Sequence, residues 1–367
     1  MKLAIITTTI NVPELVLDYA TDSHKFGHSD VEFIIAGDHK TPHEATGELC
    51  SRVLKESGIQ CHYLDIEDQN QFLKPYPRLK EHLLWNSIQR RNVAILKAYS
   101  TGCDVIVTID DDNYITTENY ISHHLQLTKH QEMNIIHSSD GWFNICDTLT
   151  ERNNRVFFPR GYPADPRQPD IAPERSSYRD NVRSVVNAGF WLDDPDIDAV
   201  TRLASPVEVT GYQRDEQFSL AKGTWAPFNS QNTAIAREVI PAYFLSPYIG
   251  RYDDIWASYI VQRVAETMGD SISFGLPLVT QKRNPHNLFS DYELEKFGYQ
   301  FCDIFCHWLR ETTPQGDSYL EKTRSLVKQM RLFLKSSPNL ETHHREAFEA
   351  LWDGYDIWCD IIEQMEL

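Results

Sequence analysis

The sequence has no excess of basic residues, and this shortage limits the partners that the protein can have. Lysine and arginine together number 35 against 53 aspartates and glutamates, so the formal net charge is −18. A surface that binds nucleic acid or an anionic membrane needs basic patches, and this composition argues against both partners. A small phosphate ligand held by a few local arginines is still compatible with the charge.

Paired cysteines and long apolar runs are also missing. The seven cysteines include no CxxC pair, and an odd number fits a reducing cytosol better than a disulfide framework. We expect Cys302 and Cys306 to be ordinary core thiols. The apolar run in MKLAIITTTI is too short for a secretory signal, and no stretch approaches the roughly 20 apolar residues of a membrane span. We therefore expect a cytoplasmic protein without a membrane span.

Strand and helix patterns alternate in the first third of the chain. KLAIITTT, VEFIIAGD, GIQCHYLDI and CDVIVTIDDD contain strand patterns, and helical periodicity separates them in EATGELCSRVLKES and LLWNSIQRRNVAILKAYSTG. This order predicts an α/β fold, a mostly parallel sheet with helices on both faces. The amphipathic tail from about Asp291 predicts a helical appendage that packs on the core or on a second copy of the chain.

Three consecutive carboxylates, Asp110, Asp111 and Asp112, follow the buried strand VIVTI. The carboxyl ends of strands in open α/β sheets border the ligand crevice. Like charges about 4 Å apart repel by about 4 kcal/mol at an effective dielectric near 20. A hard divalent cation such as Mg2+ or Mn2+ binds carboxylate oxygens together with substrate phosphates and would compensate this repulsion. A solvated acidic loop is the alternative, because a DxD arrangement alone is weak evidence.

A segment rich in proline and arginine interrupts the pattern between residues 158 and 181. Its five prolines exclude a helix or a central strand, which leaves an inert linker or a functional lid. Linkers between domains are usually poorer in arginine. The segment is therefore predicted to be a mobile lid, and its arginines are Arg160, Arg167, Arg175 and Arg179.

Two later segments contain further candidates. In GRYDDIWAS, Asp253 and Asp254 begin a helix, where favourable interaction with the helix dipole accounts for one of them. In QKRNPHNLF, His286 is either a surface residue or a metal ligand. Lys282 and Arg283 lie close enough in sequence to meet phosphate oxygens from the same loop.

TIDDDN, PRGYPADPR, NAGFWLDDPDIDAVTRL, NSQNTAIARE and GRYDDIWAS occur in this order along the chain. Together they resemble the family of reversibly glycosylated polypeptides and UDP-arabinopyranose mutases, which are sugar-nucleotide enzymes of the GT-A glycosyltransferase fold. The similarity covers roughly residues 1–295, and GRYDDIWAS and RGYP are its most specific parts. It implies a GT-A-like, Rossmann-type catalytic domain that binds a nucleotide sugar over residues 1–295. The amphipathic pattern of the tail predicts a separate C-terminal helical region over residues 296–367.

The resemblance also implies roles for individual residues. The DDD element would bind the metal and the nucleotide. Arg160 matches the arginine that becomes reversibly glycosylated in the family, and Arg167 matches a second important arginine. His286 corresponds to the late histidine that completes the metal site in other GT-A transferases. The first half of the chain would supply the other donor contacts, which are Thr7, Thr8, Asp38, Arg91 and Asn92.

The sequence thus predicts a metal-dependent glycosyltransferase, a hexosyl- or pentosyltransferase, that moves a sugar from a nucleoside diphosphate sugar to an unidentified hydroxyl acceptor. A UDP-sugar is the expected donor. Asp110, Asp112 and His286 would hold Mn2+ or Mg2+, and Asp254 or Asp253 would accept the proton of the attacking hydroxyl.

The remaining donor contacts would come from charged groups around the crevice, namely Asp110, Asp111, Arg160, Arg167, Lys282 and Arg283. Arg160 and Arg167 would clamp phosphate or sugar from the lid. Two other functions stay open. One is a sugar-nucleotide mutase or self-glycosylating protein that acts through Arg160, and the other is a non-catalytic subunit that binds a sugar nucleotide.

Overall fold

The computed structural model describes residues 1–168, 171–283, 287–337 and 339–366. Its strands are β1 Leu3–Thr9, β2 Val31–Gly37, β3 Gln60–Leu64, β4 Val105–Ile109, β5 Asn113–Ile115, β6 His130–Ser138, β7 Leu149–Glu151, β8 Arg175–Asp193, β9 Val209–Tyr212, β10 Phe218–Leu220, β11 Asn232–Ala236 and β12 Ser271–Gln281. Its α-helices are α1 Val16–Lys25, α2 His43–Ser57, α3 Ile66–Phe72, α4 Pro77–His82, α5 Arg91–Ser100, α6 Tyr120–His124, α7 Ala199–Ala204, α8 Asp253–Met268, α9 Leu288–Glu311, α10 Tyr319–Lys335 and α11 Thr342–Glu366.

In the described residues, one large sheet runs in the order β3-β2-β1-β4-β11-β8-β6-β10-β12-β5. Strands β3, β2, β1 and β4 are all parallel, and β2 and β4 are buried along their whole length. Antiparallel pairs appear from β11 onward, because β11 runs opposite to both β4 and β8. The predicted α/β class with C-terminal helices is confirmed.

The strand directions bring distant parts of the chain to one side of the sheet, the side at which the parallel strands have their carboxyl ends. This side is called the carboxyl edge of the sheet below. The parallel strands β1, β2 and β4 all end there, so the residues that follow them meet. The antiparallel strand β11 begins at this edge, and β8 and β12, which run parallel to each other, end there. Six segments of the chain therefore converge on this edge, which is where open α/β sheets bind their ligands.

The helix predicted over LLWNSIQRRNVAILKAYSTG is shorter in the structure, because α5 begins only at Arg91. Asn86 has a φ of 55°, a left-handed conformation that cannot continue a helix. The side chain of Ser87 then caps a short 3-10 turn by accepting a hydrogen bond from the backbone of Gln89. The loop before α5 consequently reaches the carboxyl edge of the sheet.

The proline-rich segment has two parts. The described residues 158–168 and 171–174 are irregular apart from a 3-10 turn at Asp165–Arg167, whereas β8 already begins at Arg175 and pairs with β6. The prediction that the segment cannot contain a central strand is therefore wrong from Arg175 onward, and all five prolines lie at or before Pro173. The carboxylate of Asp303 also accepts hydrogen bonds from the backbone of residues 164 and 165.

The C-terminal helices pack on the core of this chain. Trp256 of α8 stacks on Phe305 of α9 with ring centroids 3.9 Å apart. The indole of Trp358 in α11 donates a hydrogen bond of 2.8 Å to the carbonyl of Ile240. Helix α9 extends across the predicted boundary between residues 295 and 296, and that boundary stays a prediction. Across the described ranges, no helix is both long and apolar enough to traverse a bilayer.

Candidate functional site

A cavity of about 540 Å³ opens at the edge where the six segments converge. Of the residues that the structure describes, seven aspartates and four arginines line it, together with smaller polar residues and two isoleucines. The lining residues are Thr8, Thr9, Ile10, Asn11, Asp38, Asn86, Ser87, Ile88, Arg91, Asp110, Asp111, Asp112, Arg160, Asp196, Ser230, Gln231, Arg251, Asp253, Asp254, Gln281 and Arg283.

The aspartate triplet lies in the floor of the cavity, directly after β4. Arg91, the first residue of α5, donates a hydrogen bond of 2.5 Å from Nη2 to Oδ1 of Asp110. The hydroxyl of Thr9 donates one of 2.5 Å to Oδ2 of Asp111. Burial raises the pKa of Asp111, and the charge of Asp110 adds to this effect against the opposing hydrogen bond from Thr9. Each of these two carboxylates is thus held by a neighbouring strand or helix.

Arg160 is buried between two carboxylates. Its Nε and Nη2 donate to the two oxygens of Asp196, each at 3.0 Å. Its Nη1 and Nη2 donate to the two oxygens of Asp254 at 3.1 and 3.2 Å, and Nη1 also donates to the carbonyl of Arg251. A guanidinium has five N–H donors, so these contacts use all of them.

The charges of this cluster stabilise one another. Burial alone would lower the pKa of Arg160, but the carboxylates of Asp196 and Asp254 outweigh burial and raise it. Burial likewise opposes ionisation of Asp196, yet the charge and hydrogen bonds of Arg160 lower the pKa of Asp196 to about 2. Both groups are therefore charged over the whole physiological range.

The two aspartates at the start of α8 have different surroundings. Besides its contacts with Arg160, Asp254 accepts hydrogen bonds from the backbone N–H and the hydroxyl of Ser230, at 3.0 and 3.1 Å. Burial and the negative charge of Asp254 raise the pKa of Asp253 to about 7, although Arg160 and Gln89 act in the opposite direction. Asp253 is thus suited to exchange a proton near neutral pH, and Asp254 is fixed by its partners.

The arginines around the cavity are already paired with carboxylates. Arg251 contacts Glu295 at 3.2 Å, and Arg283 contacts Asp194 at 3.0 Å. With Arg91 on Asp110 and Arg160 between its two aspartates, each arginine among the described lining residues has an acidic partner. A diphosphate that enters the cavity would meet arginines whose charge is balanced and an excess of carboxylates.

The aspartate triplet fits a hard divalent cation by the chemistry of its donors, which are all carboxylate oxygens. In the described part of the chain, Asp110 and Asp111 form their hydrogen bonds through one carboxylate oxygen each. The triplet does not form a closed ligand cluster within the described residues. An open set of carboxylates is the arrangement that Mg2+ uses when substrate phosphates complete its coordination.

The other sequence-predicted residues divide into two groups. Thr8 and Asp38 line the cavity, although both carboxylate oxygens of Asp38 already accept hydrogen bonds from backbone N–H groups, at 2.7 and 3.1 Å. The structure does not bring Thr7, Asn92, Arg167 and Lys282 to the cavity lining.

Each of these four residues has other contacts within the chain. The hydroxyl of Thr7 donates to the carbonyl of Thr8, and Nζ of Lys282 lies 4.7 Å from the centre of the Tyr114 ring. Arg167 contacts Asp198 at 3.0 Å and the carbonyl of Tyr162. His286, the predicted late metal ligand, lies outside the described residues.

Eleven of the described lining residues were not selected from the sequence, namely Thr9, Ile10, Asn11, Asn86, Ser87, Ile88, Asp196, Ser230, Gln231, Arg251 and Gln281. The sequence contains a signal that could have identified Asp196. This residue lies in the acidic run LDDPDID at the end of strand β8, just as Asp110 follows β4. Ser230 and Gln231 precede an antiparallel strand. Their position at the carboxyl edge depends on a strand direction that local sequence does not reveal.

Asn92 has a structural role in the fold. Its Nδ2 donates to the carbonyl of Leu245 at 2.7 Å, and its Oδ1 accepts from the N–H of the same residue at 3.1 Å. We expect Asn92→Ala to lower the free energy of unfolding by about 1–3 kcal/mol for each backbone group left unpaired. Urea denaturation measures this loss. A variant of unchanged stability that binds nucleotide weakly would instead assign Asn92 to the ligand site.

These features define an α/β protein with a carboxylate-rich ligand cavity at the carboxyl edge of its sheet. The family model of reversibly glycosylated polypeptides matches residues 101–312. The chain therefore belongs to the reversibly glycosylated polypeptide family, as its motifs predicted.

Individual relatives agree with this assignment. The chain is 32% identical over 197 residues to UDP-arabinopyranose mutase 3 of Arabidopsis thaliana, covering 51% of this chain and 50% of that protein. It is 31% identical over 269 residues to probable UDP-arabinopyranose mutase 2 of Solanum tuberosum, covering 71% of this chain and 67% of that protein. The chain spans about half the length of the first curated relatives it matches.

Solved structures align with this chain at lower sequence identity than these relatives. The structure of S. aureus TarS 1-349 in complex with UDP-GlcNAc has a TM-score of 0.37 and 11% identity, and covers 99% of this chain and 91% of that chain. Mannosyl-3-phosphoglycerate synthase from Rubrobacter xylanophilus has a TM-score of 0.39 and 9% identity, and covers 93% of this chain and 77% of that chain.

Proposed function

We propose that this protein is an enzyme that binds a UDP-sugar in the cavity together with Mn2+ or Mg2+ and acts at the bond between sugar and phosphate. The observation that carries the proposal is the composition of the cavity, which has seven aspartates and four arginines that are already paired. The UDP-sugar is supported by membership of a family whose relatives are named UDP-arabinopyranose mutases.

The need for a cation follows from this charge balance. A diphosphate would bring further negative charge to a lining whose arginines are neutralised by their partners. Asp110 and Asp112 would hold the cation from the floor of the cavity. When bound, a divalent cation supplies charge stabilisation for the leaving nucleoside diphosphate.

The chain's own residues would position the reacting groups and transfer the proton. Arg91 orients Asp110, and Arg160 orients Asp254 by the contacts described above. Asp253 is the candidate for accepting or returning a proton, because its environment keeps its pKa near 7. Arg160 would act as a positioning residue, since a charged guanidinium with five occupied donors is neither a nucleophile nor a free phosphate clamp.

Two reactions fit such a site. A mutase reaction, in which the ring form of the sugar changes without net release of nucleotide, is favoured by the names of the relatives. Transfer to a hydroxyl acceptor is the second candidate, favoured by a cavity carboxylate with a pKa near neutrality. Incubation with UDP-sugars separates them, because only transfer releases UDP when an acceptor is added. A protein that binds UDP-sugar and does neither is a binding subunit.

We expect UDP-sugar binding to require the cation and Asp112. In calorimetric titrations with Mn2+, Asp112→Asn should lower the affinity for UDP-sugar to the level that the unaltered protein shows in EDTA, because a neutral amide is a poor ligand for a hard cation. Asp147→Asn, which removes a carboxylate paired with Arg175 outside the cavity, is the control and should bind normally. Equal UDP-sugar affinity with and without EDTA would refute the metal requirement.

A further inference from the structure

Two cysteines outside the cavity lining lie unusually close together. Cys50 is on helix α2 and Cys61 is on strand β3, and their Sγ atoms are 3.0 Å apart. Both are free thiols. An S–S bond measures about 2.05 Å, so the two sulfur atoms need to approach by only about 1 Å to form one.

The position of the pair allows small molecules to reach it. Strand β3 is an edge strand of the sheet, and in the described ranges no further strand pairs with its outer side. Cys61 is partly exposed, whereas Cys50 on α2 is only 6% exposed. The other five cysteines are all buried.

The two thiols are also chemically unequal. The Cys61 thiol donates a hydrogen bond to the sulfur of Cys50. This hydrogen bond lowers the pKa of Cys50, against the effect of burial, and raises the pKa of Cys61. Since the thiolate is the reactive form of cysteine, the hydrogen bond from Cys61 makes Cys50 the better nucleophile of the two and leaves Cys61 as the candidate resolving thiol.

We propose that Cys50 and Cys61 form an oxidation site, at which a hydroperoxide converts the two thiols into a disulfide that links α2 to β3. The sulfur of Cys50 attacks one oxygen of hydrogen peroxide, the O–O bond breaks, and a water molecule leaves with the thiol proton. The sulfur of Cys61 then attacks the resulting sulfenic acid, the S–O bond breaks, and a second water molecule leaves. The two sulfurs together lose two electrons, which the peroxide accepts.

The disulfide between Cys50 and Cys61 would stabilise the part of the sheet that carries the cavity residue Asp38. His43, the first residue of α2, already contacts the hydroxyl of Tyr63 in β3 through Nδ1 at 2.6 Å. The Tyr63 hydroxyl lies against Gly37, which precedes the cavity residue Asp38. A disulfide between the same two elements would restrict the unfolded chain and add a covalent connection beside this contact. We therefore expect the oxidised protein to unfold at a higher urea concentration than the reduced protein.

Peptide mapping by mass spectrometry tests the proposal on the full-length protein. The protein is titrated with hydrogen peroxide, remaining thiols are alkylated, and the digest is analysed without reductant. We expect a linked peptide pair containing Cys50 and Cys61, lighter by two hydrogens than the reduced pair. It should form while the other five cysteines remain alkylated, and dithiothreitol should reverse it.

Substitutions separate this site from general oxidation. Cys61→Ser should abolish the link and leave Cys50 as a sulfenic acid that dimedone traps, whereas Cys50→Ser should leave Cys61 unreactive toward dimedone. Cys103→Ser, which removes a buried thiol bonded to Glu32, is the matched control and should form the link normally. The proposal is overturned if the buried cysteines oxidise at lower peroxide concentrations than this pair, or if Cys50 and Cys61 form no linked peptide. Neither result depends on the proposed UDP-sugar activity.

Discussion

Arg160→Met is expected to lower the free energy of unfolding at pH 7 by about 3–5 kcal/mol, the usual cost of leaving buried charge without its partner. The substitution keeps a long side chain but removes the only cation that contacts both Asp196 and Asp254 within the described residues. Two buried carboxylates would then repel each other across the space that the guanidinium occupied. Arg160→Lys should lose less, because it keeps the charge and gives up only the five-donor geometry.

The pH dependence of stability should distinguish the variant from the unaltered protein. In the unaltered protein the pKa of Asp196 is lowered to about 2, so its stabilising contribution is present above about pH 4 and is lost as the pH falls toward 2. In Arg160→Met the carboxylate of Asp196 lacks its cation, so the pKa of Asp196 rises and the variant should gain stability as the pH falls below neutrality.

Urea denaturation at several pH values measures both effects. Arg152→Met is the matched control, because it removes an arginine that is 61% exposed and paired with Glu208 at the surface. This control should lose no more than about 1 kcal/mol. If both variants lose the same amount, the cluster around Arg160 does not contribute more than an ordinary surface ion pair.

Asp253→Asn is expected to lower turnover of the UDP-sugar by about 10²–10⁴-fold, the contribution that a positioned general acid or base makes. Asparagine keeps the size of the side chain and removes its proton exchange. Because the pKa of Asp253 is raised to about 7, the rate of the unaltered enzyme should change through neutral pH. In Asp253→Asn this titration should be absent from the rate profile.

The stability of the same variant gives a second readout. The raised pKa of Asp253 makes the free energy of unfolding fall as the pH rises from about 4 to 7. The fall is at most about 1.4 kcal/mol per pH unit for one proton. Asp253→Asn removes this loss, so it should be more stable than the unaltered protein at pH 8, and this advantage should shrink toward pH 4.

Asp254→Asn is the informative comparison for Asp253. It weakens the contacts with Arg160 and Ser230, so it should lower stability together with turnover. The roles of the two aspartates would have to be exchanged if Asp254→Asn removed the neutral titration from the rate profile while Asp253→Asn retained it. Turnover by Asp253→Asn at the unaltered rate would exclude this residue from proton transfer.

Part of this site could be derived from local sequence because parallel strands place their carboxyl ends together. The runs KLAIITTT, VEFIIAGD and VIVTI were recognisable as strands, and the structure pairs β1 in parallel with both β2 and β4. Once the sheet is known to be parallel, the side chains after these strands must meet at one edge. The α/β class, this edge and the aspartate triplet on it were therefore determined by the sequence.

Adjacent residues on one helix were harder to assign. Arg91 and Asn92 were both predicted to contact the donor, but only Arg91 lines the cavity, whereas Asn92 binds the backbone of Leu245. Successive residues of a helix point about 100° apart. Which of them reaches the cavity depends on the rotation of α5 against the sheet, and that rotation is set by packing.

The environment of Arg160 was decided by the tertiary structure alone. Its two carboxylate partners lie 36 and 94 residues away in sequence. Local sequence identified a proline-rich segment with several arginines, which is equally compatible with a mobile clamp and with a buried ion cluster. The difference between them depends on long-range packing, because only the folding of β8 and α8 against this segment brings Asp196 and Asp254 to the same guanidinium.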